Sequence, residues 1–273
     1  AGSTEKYPTS ILSFTKPHPS VAKHRTENTY VEWSVNEKAA LELGAGAAYS
    51  GARVLVTMKQ VGLNVAADPL MSLEYIGVKG GMVILVADDP GPISSQTEQD
   101  TRHFASFSKV PCFDPCSVQE AYEMVQDAFT YSETYGTPVF LRPTTRVCHG
   151  YAAVEVKEQA EYEVHSPDGF VKDSSRWVIF PKLSFQNHQK IEKRNESLAE
   201  VFSSYEKNAI YEAEEKLVTS RKGIAASGVI CTRNHERSRN SPHVESSNAI
   251  SISGEAGSHI FRRIGRSAVS GRA

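Results

Sequence analysis

Two short apolar runs, RVLVTM (Arg53–Met58) and MVILVA (Met82–Ala87), restrict what this chain can become. They carry no sustained polar alternation, so both faces of each must be covered, which is the situation of strands inside a parallel sheet. A further strand is read at Pro138–Arg142 (PVFLR) and a short one at Val110–Phe113. Helical signals fill the intervals. Asn64 reads as the cap of a helix through Ile76, with Pro69 tolerable near its first turn. Ser94 and Ser95 lead into a polar helix to about Phe107, and Ser117 with Glu120 makes a capping box for an amphipathic helix ending near Tyr135. Strands alternating with helices predict an α/β fold, a three-layer sandwich with a mostly parallel sheet and right-handed crossovers. Sites in such sheets lie beyond the carboxyl ends of the strands. Lys59–Asn64, Asp88–Asp100 and Pro143–Arg146 therefore belong on one rim.

The stretch Tyr30–Asn64 organises the rest. It reads as a short strand, a helix of small residues, the buried strand Arg53–Met58 and a glycine-containing loop. Ser34 stands where an N-cap belongs, and Ala40, Leu43, Gly44, Ala47, Ala48 and Gly51 fall on one face. So little bulk lets the helix backbone press against a sheet or a cofactor, in return for a helix-weakening cost of roughly 1 kcal/mol per glycine. Glu37 has two readings. Ser34-x-x-Glu37 is itself a capping box, and spacing alone favours that role. A carboxyl group beside an alanine and glycine surface would instead be poorly solvated and able to share a proton with a ring nitrogen.

Other motifs are weaker. The glycines of GAGAAYSG follow more than two turns of helix instead of sitting in a strand-to-helix turn, which argues against a dinucleotide fingerprint. Asp88-Asp89-Pro-Gly is a turn signal before it is a magnesium ligand set. In Lys59–Asn64 a cation, amides and backbone donors could bind a ligand, or Asn64 could only cap a helix. His103 and His149 have no partner at a recognisable spacing.

The chain is expected to divide into an irregular segment over 1–29, or a poorly defined first strand and helix there; a domain over 30–155; a linker with a long helix over 156–222; the start of an incomplete α/β domain over 223–231; and a disordered tail over 232–273. A formal net charge of -2 gives no reason to expect nucleic acid or an acidic membrane as partner. No run approaches the roughly 20 apolar residues of a membrane helix, and the start lacks a signal-peptide layout, so a cytoplasmic location is expected. The four cysteines match neither a disulfide framework nor a zinc or iron–sulfur pattern.

The run YVEWSVNEKAALELGAGAAYSGARVLVTMKQVGLNVAADPLMSLEYIGVKGGMVILVADDP, continuing through SSQTEQDTRHFA and YGTPVFLRPTTRVCHG, resembles the alpha subunit of indolepyruvate ferredoxin oxidoreductases, within the thiamine-diphosphate-dependent 2-oxoacid:ferredoxin oxidoreductases. The resemblance extends more loosely through FVKDSSRWVIFP to GIAASGV. It implies that the domain up to about residue 155 is a thiamine-diphosphate pyrimidine-binding domain. It also implies that Glu37 in NEKAALE hydrogen-bonds the aminopyrimidine nitrogen and starts catalysis as its proton partner. The family's MKHVGLN loop is here Met58 to Asn64, which brings Lys59, Gln60, Val61 and Asn64 to the cofactor, with Gln60 in place of the usual histidine. Tyr7, Pro8, Thr9 and Ser10 match the family's YPGTPS loop incompletely.

The implied activity is oxidative decarboxylation of an aryl 2-oxoacid, indolepyruvate by resemblance, to an acyl-CoA, with coenzyme A as co-substrate and ferredoxin as electron acceptor. Mg2+ and iron–sulfur clusters belong to parts of the family's chain that this sequence lacks, as does the diphosphate anchor. Self-association or a partner chain carrying the pyrophosphate domain is therefore expected, with no activity from this chain alone. The alternative is a pyrimidine-domain fragment that serves only as an assembly or regulatory partner. A nucleotide-binding oxidoreductase using the Gly44 region ranks last.

Overall fold

The computed structural model describes residues 28–158 and 166–208, residues 23 and 161, and the backbone of Ser10–Phe14. Six parallel strands form one sheet: β1 (Ser10–Phe14), β2 (Thr29–Trp33), β3 (Arg53–Lys59), β4 (Met82–Ala87), β5 (Cys112–Phe113) and β6 (Val139–Leu141), in the order β2-β1-β3-β4-β6-β5. The helices among them are α1 (Glu37–Tyr49), α2 (Gln60–Ile76), α3 (Thr101–Ser108), α4 (Val118–Tyr135) and the single turn α5 (Thr145–Cys148). After the sheet come α6 (Ser174–Trp177) and α7 (Pro181–Ser203). The chain divides into two compact units, 1–192 and 193–273, and the sheet belongs to the first. Tyr7, Pro8, Thr9 and the stretches 223–231 and 232–273 lie outside the described residues.

The alternation of strands and helices produces the α/β sandwich that the apolar runs predict. On one face, Val54, Val56, Met58, Met82, Ile84 and Val86 form a buried core with Ala40, Leu41 and Ala48 of α1 and Leu63, Ala66, Leu70 and Leu73 of α2. On the other, Val83, Val139 and Leu141 are buried, as are Met124 and Ala128 on α4. Ser132 of α4 accepts the Met82 amide at 2.8 Å, and Arg53 clasps Glu133 at 2.7 and 3.0 Å, fixing α4 to the start of β3 and β4. Gly44 explains the small-residue helix. A Cβ there would lie 2.7 Å from Val56 Cγ2 and 3.1 Å from Val54 Cγ1, so α1 presses its backbone onto the sheet and leaves no ligand space at that point. Between Gly44 and the sheet a nucleotide has no room.

Several boundaries differ from the sequence reading. Helix α2 starts at Gln60, not at Asn64, which puts Pro69 well inside it and turns the expected loop Lys59–Asn64 into a strand end and a first turn. Residues 94–99 are not helical, and α3 is capped by Asp100, whose side chain accepts the Arg102 amide. Ser117 caps α4 as read, its hydroxyl accepting the Glu120 amide at 3.1 Å, while the Glu120 carboxylate accepts the amide of Cys116, one residue before the cap, at 2.8 Å. Because all strands run parallel, with Lys59 beside Ala87 and Asp88 beside Thr144, the three expected stretches share the carboxyl rim.

Candidate functional site

Glu37 is the first residue of α1, and the cap is Asn36, whose backbone is extended (φ -160, ψ 174) and whose side-chain oxygen accepts the Ala39 amide at 2.8 Å. The Ser34 capping box does not form. Ser34 donates its hydroxyl to Glu32 at 3.3 Å instead, two residues back in β2. Relieved of capping, the Glu37 side chain lies across the first turn of α2. A Cβ built on Gly62 would meet Glu37 Cγ at 2.4 Å and both Cδ and Oε1 at 2.7 Å. The missing side chain at 62 is thus the space that the carboxyl group fills. Glu37 is partly buried, and among the described residues its carboxylate has no hydrogen-bond or ion-pair partner.

The same turn holds the other sequence-derived candidates. Lys59 is the N-cap of α2 and provides no side-chain cap; among the described residues its ammonium has no partner. Gln60 is 2% exposed and donates its amide to the Thr97 carbonyl at 3.2 Å. Val61 is partly buried beside Gly62, and Asn64 is exposed one turn along the helix. Glu37, Gly62 and the turn from Lys59 to Asn64 are therefore neighbours, built from two helix starts that follow β2 and β3. The strand order reverses at β1, which lies between these two strands, and such reversals are where open parallel sheets place their crevices.

Sequence reasoning missed a buried charge network behind this turn. Arg142, 3% exposed just past β6, donates Nε to Asp88 at 2.6 Å and Nη1 to Asp114 at 3.0 Å. Asp88 also accepts the Thr101 amide at 2.9 Å and its hydroxyl at 2.5 Å, which ties the start of α3 to the end of β4. Arg102 grips Asp100 at 2.6 Å and stands 3.7 Å from Asp114. Burial alone would raise the Asp100 carboxyl, but the Arg102 hydrogen bond and the Arg142 and Arg102 charges outweigh it and hold it at about 2. Burial would likewise depress Arg142, yet Asp114 and Asp88 raise it above its usual value.

Asp89, 2% exposed, accepts the amides of Ile93, Ser94 and Ser95 at 3.0, 2.7 and 2.7 Å and the Thr145 hydroxyl at 2.7 Å. The Ser94 amide contributes most to holding its carboxyl at about 2. Both aspartates of the Asp-Asp-Pro-Gly turn are thus engaged internally, and among the described residues no group of three or more His, Cys, Asp or Glu is arranged for a metal. The spacing of Asp88, Asp100, Asp114 and Arg142 along the chain gave no local signal. The one available cue was a charged residue directly after each apolar strand.

The described residues thus form a parallel α/β sandwich in which Glu37, without a side-chain partner among them, lies over Gly62 near the strand-order reversal. Residues 13–217 match the family described as pyruvate flavodoxin/ferredoxin oxidoreductase, thiamine diphosphate-binding, and the chain belongs to that family. It is 44% identical over 199 residues to the indolepyruvate oxidoreductase subunit IorA of Methanothermobacter thermautotrophicus, covering 73% of this chain and 31% of that relative. Identity to the same subunit of Pyrococcus abyssi is 41% over 203 residues, with the same coverage. The chain therefore spans about a third of the length of these relatives, and it matches their N-terminal part. Among solved structures, the 2-oxoglutarate:ferredoxin oxidoreductase from Magnetococcus marinus shares the fold, with a TM-score of 0.56 at 13% identity over 85% of this chain and 48% of that one. Among the described residues no helix is long and apolar enough to cross a membrane.

Proposed function

We propose that residues 30–155 are the pyrimidine-binding domain of a thiamine-diphosphate-dependent oxidoreductase subunit, and that Glu37 is the proton partner of the cofactor's aminopyrimidine ring. The observation that carries this reading is the Glu37 carboxylate, partly buried against Gly62 and unpaired among the described residues. A partly buried carboxyl group with no protein donor among the described residues is favourably completed by a ring nitrogen that shares a proton with it. Gly62 supplies the room, and Glu37 holds and returns the proton at that nitrogen. Lys59, Gln60, Val61 and Asn64 border the same turn; Lys59 offers charge, and Gln60 shapes the turn through Thr97. Bound thiamine diphosphate supplies the electron sink for decarboxylating a 2-oxoacid.

The relatives' names point to indolepyruvate, an aryl 2-oxoacid, as substrate. In this reading the assembled enzyme oxidises it with coenzyme A to an acyl-CoA in the cytoplasm and passes the electrons to ferredoxin. The diphosphate anchor, Mg2+ and iron–sulfur clusters belong to the rest of the subunit or to a partner chain, in keeping with the 31% of the relatives that this chain covers. On that basis the chain alone is inactive. The same coverage favours a second reading, a domain that acts only in assembly. Thermal unfolding separates the two. Thiamine diphosphate with Mg2+ raises the melting temperature of the full-length assembly and leaves that of this chain unchanged. An unmoved full-length assembly overturns the enzymatic reading and leaves the assembly role.

A further inference from the structure

Asp89 has no part in the proton exchange proposed for Glu37, yet it is buried and takes four hydrogen bonds, from the amides of Ile93, Ser94 and Ser95 and from the Thr145 hydroxyl. Three successive amides converging on one oxygen form a nest, a concavity suited to an anion, and here the protein's own carboxylate fills it. That contact fixes the path of an otherwise exposed loop. Two residues beyond the nest, the Thr97 carbonyl accepts the buried Gln60 amide at 3.2 Å. Gln60 is the first residue of α2, and Gly62, two residues further, is where Glu37 rests.

We propose that Asp89 is a positioning residue for the cofactor site: it shapes residues 90–97 so that Thr97 holds Gln60, and Gln60 holds the first turn of α2 beneath Glu37. The proposal rests on the reading of Glu37 as proton partner, but its structural half can be measured without cofactor. Asp89→Asn keeps the side-chain size, removes the negative charge that the nest amides bind and replaces one of the two acceptor oxygens, at the nest or at Thr145, by a donor. In nuclear magnetic resonance spectra of the chain, this variant is expected to shift the amides of Ile93 to Ser95 together with the Gly62 amide and the Glu37 carboxyl carbon, and to leave Gly44 in place. Gln60→Leu is expected to move Gly62 and Glu37 without the nest amides. The double variant should move Gly62 no further than Gln60→Leu does.

Nest amides that shift while Gly62 and Glu37 stay fixed overturn the proposal and reduce Asp89 to a local loop cap. Should Asp89→Asn lose its dispersed sheet resonances, Thr145→Val, which removes one of the four bonds, is read by the same two outcomes. In the full-length assembly, Asp89→Asn should raise the Kd for thiamine diphosphate about tenfold, the usual scale of one disrupted charged hydrogen bond, and most of the turnover should return at saturating cofactor. An unchanged Kd also overturns the proposal. A wild-type assembly that binds no thiamine diphosphate removes the reading of Glu37 instead, and the resonances of the chain still decide what Asp89 positions.

Discussion

Replacing Gly62 by alanine separates the site from the fold. An ideally placed methyl would lie 2.4 Å from Glu37 Cγ and 2.7 Å from its Cδ and Oε1. Comfortable carbon contacts begin at roughly 3.5 Å, so the glutamate must withdraw by about 1 Å. Nothing among the described residues bonds its carboxylate, so withdrawal costs the fold little. Helix α2 meanwhile exchanges glycine for alanine, a gain of up to about 1 kcal/mol in a helix interior and less in a first turn. The melting temperature should therefore hold or rise, by at most roughly 2–4 °C for a domain of this size. Turnover of the full-length assembly should fall about 100-fold, the usual effect of a reacting group misplaced by about 1 Å. Calorimetry and turnover on one preparation give both numbers. Gly44→Ala is the contrast, because its Cβ would lie 2.7 Å from Val56 and 3.1 Å from Val54, strand side chains that cannot retreat. Overpacking there should cost about 1–3 kcal/mol and lower the melting temperature. A Gly62→Ala assembly with wild-type turnover, or one destabilised like Gly44→Ala, would refute the placement of Glu37.

Arg142→Leu leaves Asp88 and Asp114 without the guanidinium that pairs them, and removing one partner from a buried ionic network should cost about 3–5 kcal/mol, read as a lower urea midpoint at neutral pH. Gly46→Ala meets nothing within 4 Å, so it should raise the midpoint by up to about 1 kcal/mol of helix propensity. Acid sensitivity follows from Asp89 and Asp100, both held at about 2 in the folded chain against about 3.9 unfolded. Depressed carboxyls stabilise fully above the unfolded value and lose that contribution as pH falls through the folded one. The urea midpoint should therefore drop between about pH 4 and about pH 2, and Asp89→Asn should drop less across that window; equal drops would contradict this account.

Much of the fold was legible because its signals are local. RVLVTM and MVILVA became β3 and β4, and Ser117 with Glu120 opened α4, because apolar period and capping need only near neighbours. Helix starts were less legible where two cap-forming residues compete. Ser34 and Asn36 both suit an N-cap, and the glutamate three residues after Ser34 mimics a capping box, yet Asn36 closes the helix and frees Glu37. At α2, a lysine without a capping side chain precedes the helix, so Asn64 attracted the assignment although it lies inside. Arg142 and its aspartates could not be grouped from sequence, since parallel strands bring together residues 28 to 54 positions apart. The placement of Glu37 over Gly62 likewise depends on how α1 and α2 pack, which no spacing within either helix encodes.

Turnover of the full-length assembly carrying Glu37→Gln tests the central claim most directly. An amide of the same shape still fits against Gly62 but cannot exchange the proton, so the account predicts an unchanged melting temperature and a fall in kcat of about 100-fold or more, the usual share of a positioned acid–base group. Wild-type kcat in that variant would show that the carboxyl group takes no part in the chemistry.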